Sequence, residues 1–204
     1  MRTLTLTPEK RDQILHTATK LFLEDGLLNT TMNDIAFVMR CSKATLYNYF
    51  PSKEELFEAF FEYHISEPLA DVITELENPD RSDRDNLLAF VEGMIRLRFD
   101  TKLAPIYHQV LVASQRSPHI AQLFLKAGAW SLIERSAAVF ERLMKEGVFR
   151  PGDPIRRARQ LQMLIMVENN RWNLNPAQPK PDDLMIRDLA QEVASFFWAG
   201  AAAK

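Results

Sequence analysis

Residues 41 to 53 read CSKATLYNYFPSK, a stretch that packs two tyrosines, an asparagine and two lysines around a short helical pattern. Three consecutive residues on a helix fan out over most of its circumference, so Tyr47, Asn48 and Tyr49 cannot all be buried. Leu46 and Phe50, four apart, form a natural buried edge. The opposite face then presents Lys43, Ala44, Thr45, Tyr47, Asn48 and Tyr49. Small residues at the helix start, Ser42, Ala44 and Thr45, let the backbone come close to base edges. Tyrosine offers a hydroxyl to phosphates and a ring to thymine methyls. Lys53, at the start of the next helix, is placed to reach a phosphate. The chemistry these residues suit is recognition of double-stranded DNA.

Catalytic and metal-binding patterns are missing by comparison. The chain has no Glu-x-x-His, no His-Glu-x-x-His, no Gly-rich phosphate loop and no Gly-x-Ser-x-Gly elbow. The expectation is therefore no catalytic residue, no metal and no cofactor. The four histidines, His16, His64, His108 and His119, are scattered. His108 lies in an apolar helical stretch beside Tyr107, where a partly buried, satisfied histidine is the ordinary reading and effector contact the alternative. Cys41 reads as a small packing residue.

The elements that position this face are helical. Apolar periodicity and turn signals predict nine helices and an all-α fold. The first runs over 8–25 with Gly26 at its end, the second over 32–39 with Thr31 as cap, and the third over 43–50 behind Ser42. Ser52 and Glu55 form a capping box for the fourth, whose stripe continues to Leu76 with Pro68 expected to kink or interrupt it. The fifth runs from Ser82 to about residue 100 and the sixth over 103–114. The seventh opens at Ser117-Pro118 and ends at Gly147, the eighth spans 154–173, and the ninth runs from Asp182 or Asp183 to about residue 198. The second and third, joined by Arg40-Cys41-Ser42, suggest a helix-turn-helix.

The bulk numbers agree with this reading without requiring it. The chain has 204 residues, 47% of them hydrophobic and 25% charged, and a formal net charge of -2. Residues 1–53 hold 7 Lys and Arg against 5 Asp and Glu, a mild basic excess that permits a nucleic-acid-binding N-terminus. A lone cysteine suits a reducing cytosol, no apolar run is long enough to span a membrane, and the N-terminus lacks a secretory core, so a cytoplasmic protein is expected.

The stretch TTMNDIAFVMRCSKATLYNYFPSKEELF, preceded by ILHTATKLFLEDG, resembles the TetR family of transcriptional regulators. Ile35-Ala36, Ser42, Thr45-Leu46-Tyr47, Phe50 and Lys53-Glu54-Glu55-Leu56 fill the family's pattern. SPHIAQLF and GVFRPGDPIRRA resemble, more weakly, a C-terminal variety of that family. Two positions depart from it: the turn glycine is Arg40 and the following valine is Cys41.

The resemblance implies a DNA-binding domain over 1–53 and an effector-binding and dimerisation domain over 54–204. It implies a DNA-facing set of Thr31, Ser42, Lys43, Ala44, Thr45, Tyr47, Asn48, Tyr49 and Lys53, with Tyr47 and Lys53 on phosphates and Lys43, Ala44 and Asn48 on base edges. It implies an apolar effector pocket, for which Phe61, Met94, Phe99, Tyr107, His108, Leu111 and Trp130 are the lining candidates. It also implies a homodimer interface drawn from Leu161, Leu164, Ile165, Trp172, Met185, Leu189, Val193, Phe196 and Phe197. The expected protein is a repressor, released from a palindromic operator by a small apolar molecule. A helical adaptor with a degenerate motif and a small helical enzyme are the competing readings.

Overall fold

The computed structural model describes residues 6–99, 103–173 and 179–203, with the side chains of 168–173 outside that description. Eleven α-helical segments follow one another: α1 (Pro8–Glu24), α2 (Met32–Val38), α3 (Lys43–Tyr49), α4 (Lys53–Phe61), α5 (Glu67–Leu76), α6 (Asp83–Phe99), α7 (Leu103–Ser114), α8 (Pro118–Phe124), α9 (Trp130–Lys145), α10 (Pro154–Asn173) and α11 (Asp183–Ala201). Two π-helical turns, Glu62–Ser66 and Leu125–Ala129, run α4 into α5 and α8 into α9 without a break. Among the described residues the eleven segments thus make nine continuous helical stretches, the number that the periodicity predicts.

Most boundaries lie where the sequence marks them. Thr7 caps α1, its hydroxyl accepting from the Lys10 N–H, with Pro8 at the first helical position. Thr31, Ser42 and Ser52 cap α2, α3 and α4 in the same way. Gly26 and Gly147 take φ of +95° and +75° just past the ends of α1 and α9, a conformation that costs glycine little.

The break expected at Pro68 is a π-helical turn instead, one turn earlier. Proline has no N–H to give, and its ring presses on the carbonyl four residues back, which is that of His64. Widening the turn over Glu62–Ser66 relieves that pressure while the helix continues. The second π-helical turn interrupts what was expected to be one regular helix over 118–147, and nothing in the local residue types marks it.

The chain forms two compact units, residues 1–65 with 105–127, and residues 66–104 with 128–204. The first unit therefore extends past residue 53, because α4 packs against both α1 and α8. Its core joins Ile14, Ala18 and Phe22 of α1, Ile35 of α2, Leu46 of α3, and Leu56 and Phe60 of α4, all fully buried. The Phe22 ring meets those of Phe57 and Phe60 at 4.9 and 5.2 Å. His64 is buried in the same unit, 3.0 Å from the Thr19 hydroxyl and against the Phe60 ring.

The second unit packs α6 against α5 and α11, and α9 against α10. Phe140, Phe149 and Phe197 form its aromatic centre. At Gly93 a Cβ would lie 3.1 and 3.4 Å from the two Val72 methyls, so α5 and α6 approach as closely as a missing side chain permits. Gly93→Leu is expected to overpack this seam and destabilise the protein by about 1–3 kcal/mol. A thermal melt should then fall by roughly 2–4 °C for each kcal/mol in a chain of this length. An unchanged melt would show that Val72 yields at no cost.

Candidate nucleic-acid interface

The helix-turn-helix is built from the inside. Leu46 is fully buried and Phe50 nearly so, and together they fix the rotation of α3. That rotation leaves Lys43, Ala44, Tyr47 and Asn48 exposed on the opposite face, with Thr45 half-buried. Tyr47 keeps 44% of its surface in solvent, a high value for a tyrosine anchored in a folded unit. Lys43 makes no hydrogen bond or ion pair among the described residues, so its ammonium is available.

Ser42 holds the start of α3 twice over. Its hydroxyl accepts from the Thr45 N–H at 3.0 Å and pairs with the Thr45 hydroxyl at 2.8 Å. Thr31 does the equivalent at α2 through a full capping box with Asp34. Hydrogen bonds from the Thr31 hydroxyl and backbone N–H hold the Asp34 carboxyl below its usual range. Thr31 and Ser42 are therefore cap residues first, and any DNA contact they make is additional.

The turn between α2 and α3 closes with paired backbone bonds. The Arg40 N–H donates to the Phe37 carbonyl at 3.0 Å and the Cys41 N–H to the Ala36 carbonyl at 3.1 Å, the pattern of a Schellman cap. Arg40 takes φ +50°, the only non-glycine positive φ among the described residues. An L-residue there costs roughly 1–2 kcal/mol relative to its ordinary conformations. Cys41 is half-buried against this corner.

Two expected DNA contacts are otherwise engaged. The Lys53 ammonium donates to the Leu28 carbonyl at 3.2 Å and lies 5.1 Å from the centre of the Phe57 ring. Burial pushes its pKa below the usual lysine range, against the pull of Glu54 and Asp34. A phosphate would have to compete with that anchoring. The Tyr49 hydroxyl accepts from the Thr7 N–H at 3.1 Å, tying the end of α3 to the start of α1. The Tyr49 ring is half-buried beside the exposed Tyr47 and Asn48.

The expected effector-pocket residues divide between the two units. Phe61, Tyr107, His108 and Leu111 belong to the first, and Met94, Phe99 and Trp130 to the second. Phe61 is fully buried, with the Phe124 ring at 5.9 Å, and Tyr107 approaches the same ring at 6.0 Å. Met94 is buried and Phe99 packs against the core of the second unit. His108 is exposed, contrary to the partly buried position expected for it, because it faces away from the stripe of Ile106 and Val110. Leu111 and Trp130 are also exposed, and Arg159 lies over the Trp130 ring at 5.6 Å.

The expected dimer face needs correcting. Leu161 and Ile165 are fully buried, and Val193 and Phe197 largely so, in the core of their own unit. Leu164 and Leu189 are half-buried against that core, and the Trp172 side chain lies outside the described residues. Met185 and Phe196 are exposed as required, and they are joined by Met163, Val167 and Leu184, which the sequence reading passed over. Both helices carry apolar residues on two sides, and periodicity does not say which side turns inward. Phe37, 85% exposed near the end of α2, was also missed.

Among the described residues, no group of three histidine, cysteine or acidic side chains is placed to hold a metal ion. No described helix is long and apolar enough to cross a membrane.

The comparisons with known proteins agree with this geometry. The sequence model of the bacterial regulatory proteins of the tetR family matches residues 14–60, and that of the AefR-like transcriptional repressor C-terminal domain matches residues 85–200. The chain is 30% identical over 156 residues to the HTH-type transcriptional regulator YfiR of Bacillus subtilis (strain 168), spanning 74% of this chain and 75% of that one. It is 31% identical over 90 residues to the regulator YuxN of the same organism, which is 43% of this chain but only 31% of that relative. Among solved structures, the Flavonoid-responsive Regulator FrrA superposes with a TM-score of 0.76 at 26% identity, covering 96% of this chain and 98% of that one. A TetR-family regulator from Mesorhizobium loti superposes with a TM-score of 0.80 at 22% identity, covering 98% and 100%, which speaks to the fold.

Proposed function

The chain belongs to the TetR family of DNA-binding transcriptional regulators, and from that premise we propose that it is a cytoplasmic repressor that grips a near-palindromic operator as a dimer and lets go when a small apolar molecule binds. One observation carries the DNA reading: the exposed Lys43, Ala44, Tyr47 and Asn48 on the face of α3 opposite buried Leu46 and Phe50. In this reading Tyr47 and Lys43 meet the backbone and groove wall, Ala44 and Asn48 meet base edges, and Lys53 and Tyr49 hold the helix in place. The division of labour is a DNA-binding domain over 1–53 and an effector-binding and dimerisation domain over 54–204.

Dimerisation supplies the second half-site. A single seven-residue recognition helix specifies too few base pairs alone, and two copies reach successive major grooves roughly 34–36 Å apart. The exposed Met163, Val167, Met185 and Phe196 are the residues proposed to bury between subunits.

The effector reading rests on the family, and Phe61 and Tyr107, which both meet the Phe124 ring within the first unit, are its apolar candidates. Similarity to a regulator described as flavonoid-responsive places flat aromatic compounds first in a screen. A hundredfold loss of operator affinity requires the effector to prefer the non-binding state by about 2.7 kcal/mol.

Selection of bound sequences from random DNA tests the core of the proposal. The expected result is an enriched inverted repeat, released from the protein by at least one aromatic compound that raises its melting temperature. No enriched sequence would remove the regulator reading in favour of an adaptor. An enriched site that no stabilising compound releases would remove the effector switch alone.

A further inference from the structure

We infer that Arg40, the turn residue in the left-handed conformation, is a phosphate clamp that grips the operator backbone beside the recognition helix. The inference rests on the DNA-binding reading proposed above and adds a contact to it.

Arg40 occupies the cap position where glycine fits without strain, and it holds φ +50°. The backbone bonds from Arg40 to Phe37 and from Cys41 to Ala36 fix that conformation whatever the side chain. The side chain does nothing within the fold. It is exposed, and its guanidinium makes no hydrogen bond or ion pair among the described residues. Other arginines of the chain are engaged: Arg96 with Glu92 and Asp183, Arg135 with Glu77, Arg142 with Asp83 and Glu146. Arg40 is thus a residue whose backbone is strained and whose side chain has no partner among the described residues to justify it.

Its position supplies a partner. Arg40 stands two residues before Ser42, the cap of α3. The major groove is about 12 Å wide and a helix with its side chains about 10–12 Å across, so a helix lying in the groove fills it. The chain entering that helix then passes over the groove wall, which is sugar and phosphate. A guanidinium there presents parallel N–H groups matched to two phosphate oxygens. Lys43, three residues on and also exposed without a partner among the described residues, extends the positive edge.

Titrations of Arg40→Gly, Arg40→Gln and Arg40→Lys test the assignment. The probes are a duplex recovered by selection and a scrambled duplex of equal length, each read by fluorescence anisotropy at several salt concentrations. Arg40→Gly is expected to melt about 2–4 °C higher, since the strain is gone. It should nonetheless bind both duplexes roughly 5–20-fold more weakly, with the salt slope reduced by about one for each subunit. Arg40→Gln should lose the same affinity without the gain in stability, and Arg40→Lys should recover the slope. Arg40→Gly or Arg40→Gln binding with wild-type affinity and slope overturns the clamp while leaving the DNA-binding reading intact. Loss confined to the selected duplex overturns it too, since a phosphate contact is blind to sequence. Wild-type protein that binds neither duplex fails the DNA-binding reading, and the clamp falls with it.

Discussion

Lys43→Ala with Tyr47→Ala is expected to weaken operator binding at least about 100-fold at physiological salt, because each lost contact occurs in both half-sites of a dimer. Both side chains are exposed and neither supports the packing of α3, which Leu46 and Phe50 secure from the other face. The double variant should therefore keep its circular dichroism spectrum and melting temperature. Asn48→Ala should behave differently, relaxing base preference at one position per half-site at a cost of about 1–3 kcal/mol each. Lys53→Ala provides the contrast. Its ammonium holds the Leu28 carbonyl, so its main effect should be about 1 kcal/mol of stability. Anisotropy titrations against salt, paired with thermal melts, separate the two behaviours. Full affinity in the Lys43 and Tyr47 double variant would place the reading face elsewhere.

Met163→Glu with Phe196→Glu is expected to give a folded monomer with roughly 10²–10⁴-fold weaker operator binding. These residues are 60% and 69% exposed, so the carboxylates sit in water as long as the chain is alone. In a dimer they would be stripped of water, and an unpaired buried charge costs several kcal/mol. Each monomer would then meet one half-site without the effective concentration its partner supplies. Light scattering should report a 23.5 kDa species in place of the dimer. The same substitution at Leu161 or Ile165 should instead unfold the chain, since those side chains are wholly buried in it. A double variant that remains dimeric with full affinity would move the interface to another surface.

These expectations depend on features of unequal legibility. The caps were readable because a helix start is a local event: Ser42 and Thr45, or Ser52 and Glu55, lie within four residues of each other. The burial of Leu46 and Phe50 followed from their spacing alone. The internal contacts of Lys53 and Tyr49 did not, because their partners, Leu28 and Thr7, lie 25 and 42 residues away. A motif assigns a residue to a position in a pattern, but what its side chain touches depends on how distant segments fold back.

The dimer face illustrates a different limit. Along α10, Leu161 and Ile165 are one helical row and Met163 and Val167 another, both apolar. The placement of α9, α6 and α11 around it decides which row becomes core. The pocket candidates meet the same difficulty, since apolar character selects buried core and ligand lining alike. Phe61 and Met94 prove to be tightly buried, while Trp130 and Leu111 stand in solvent.

The two π-helical turns bear on how this chain is to be compared with its relatives. A π-helical turn spans one residue more than the α-helical turn it replaces, while the helix keeps its hydrogen-bonded continuity. Each turn is in effect an insertion of a single residue that a helix has absorbed. A homologue without it aligns correctly only with a one-residue gap inside 62–66 or 125–129. Alignment methods place gaps by preference in loops, and a gap moved there would shift the equivalence of every helical position in between. The error would be silent, because the shifted helices would still look amphipathic.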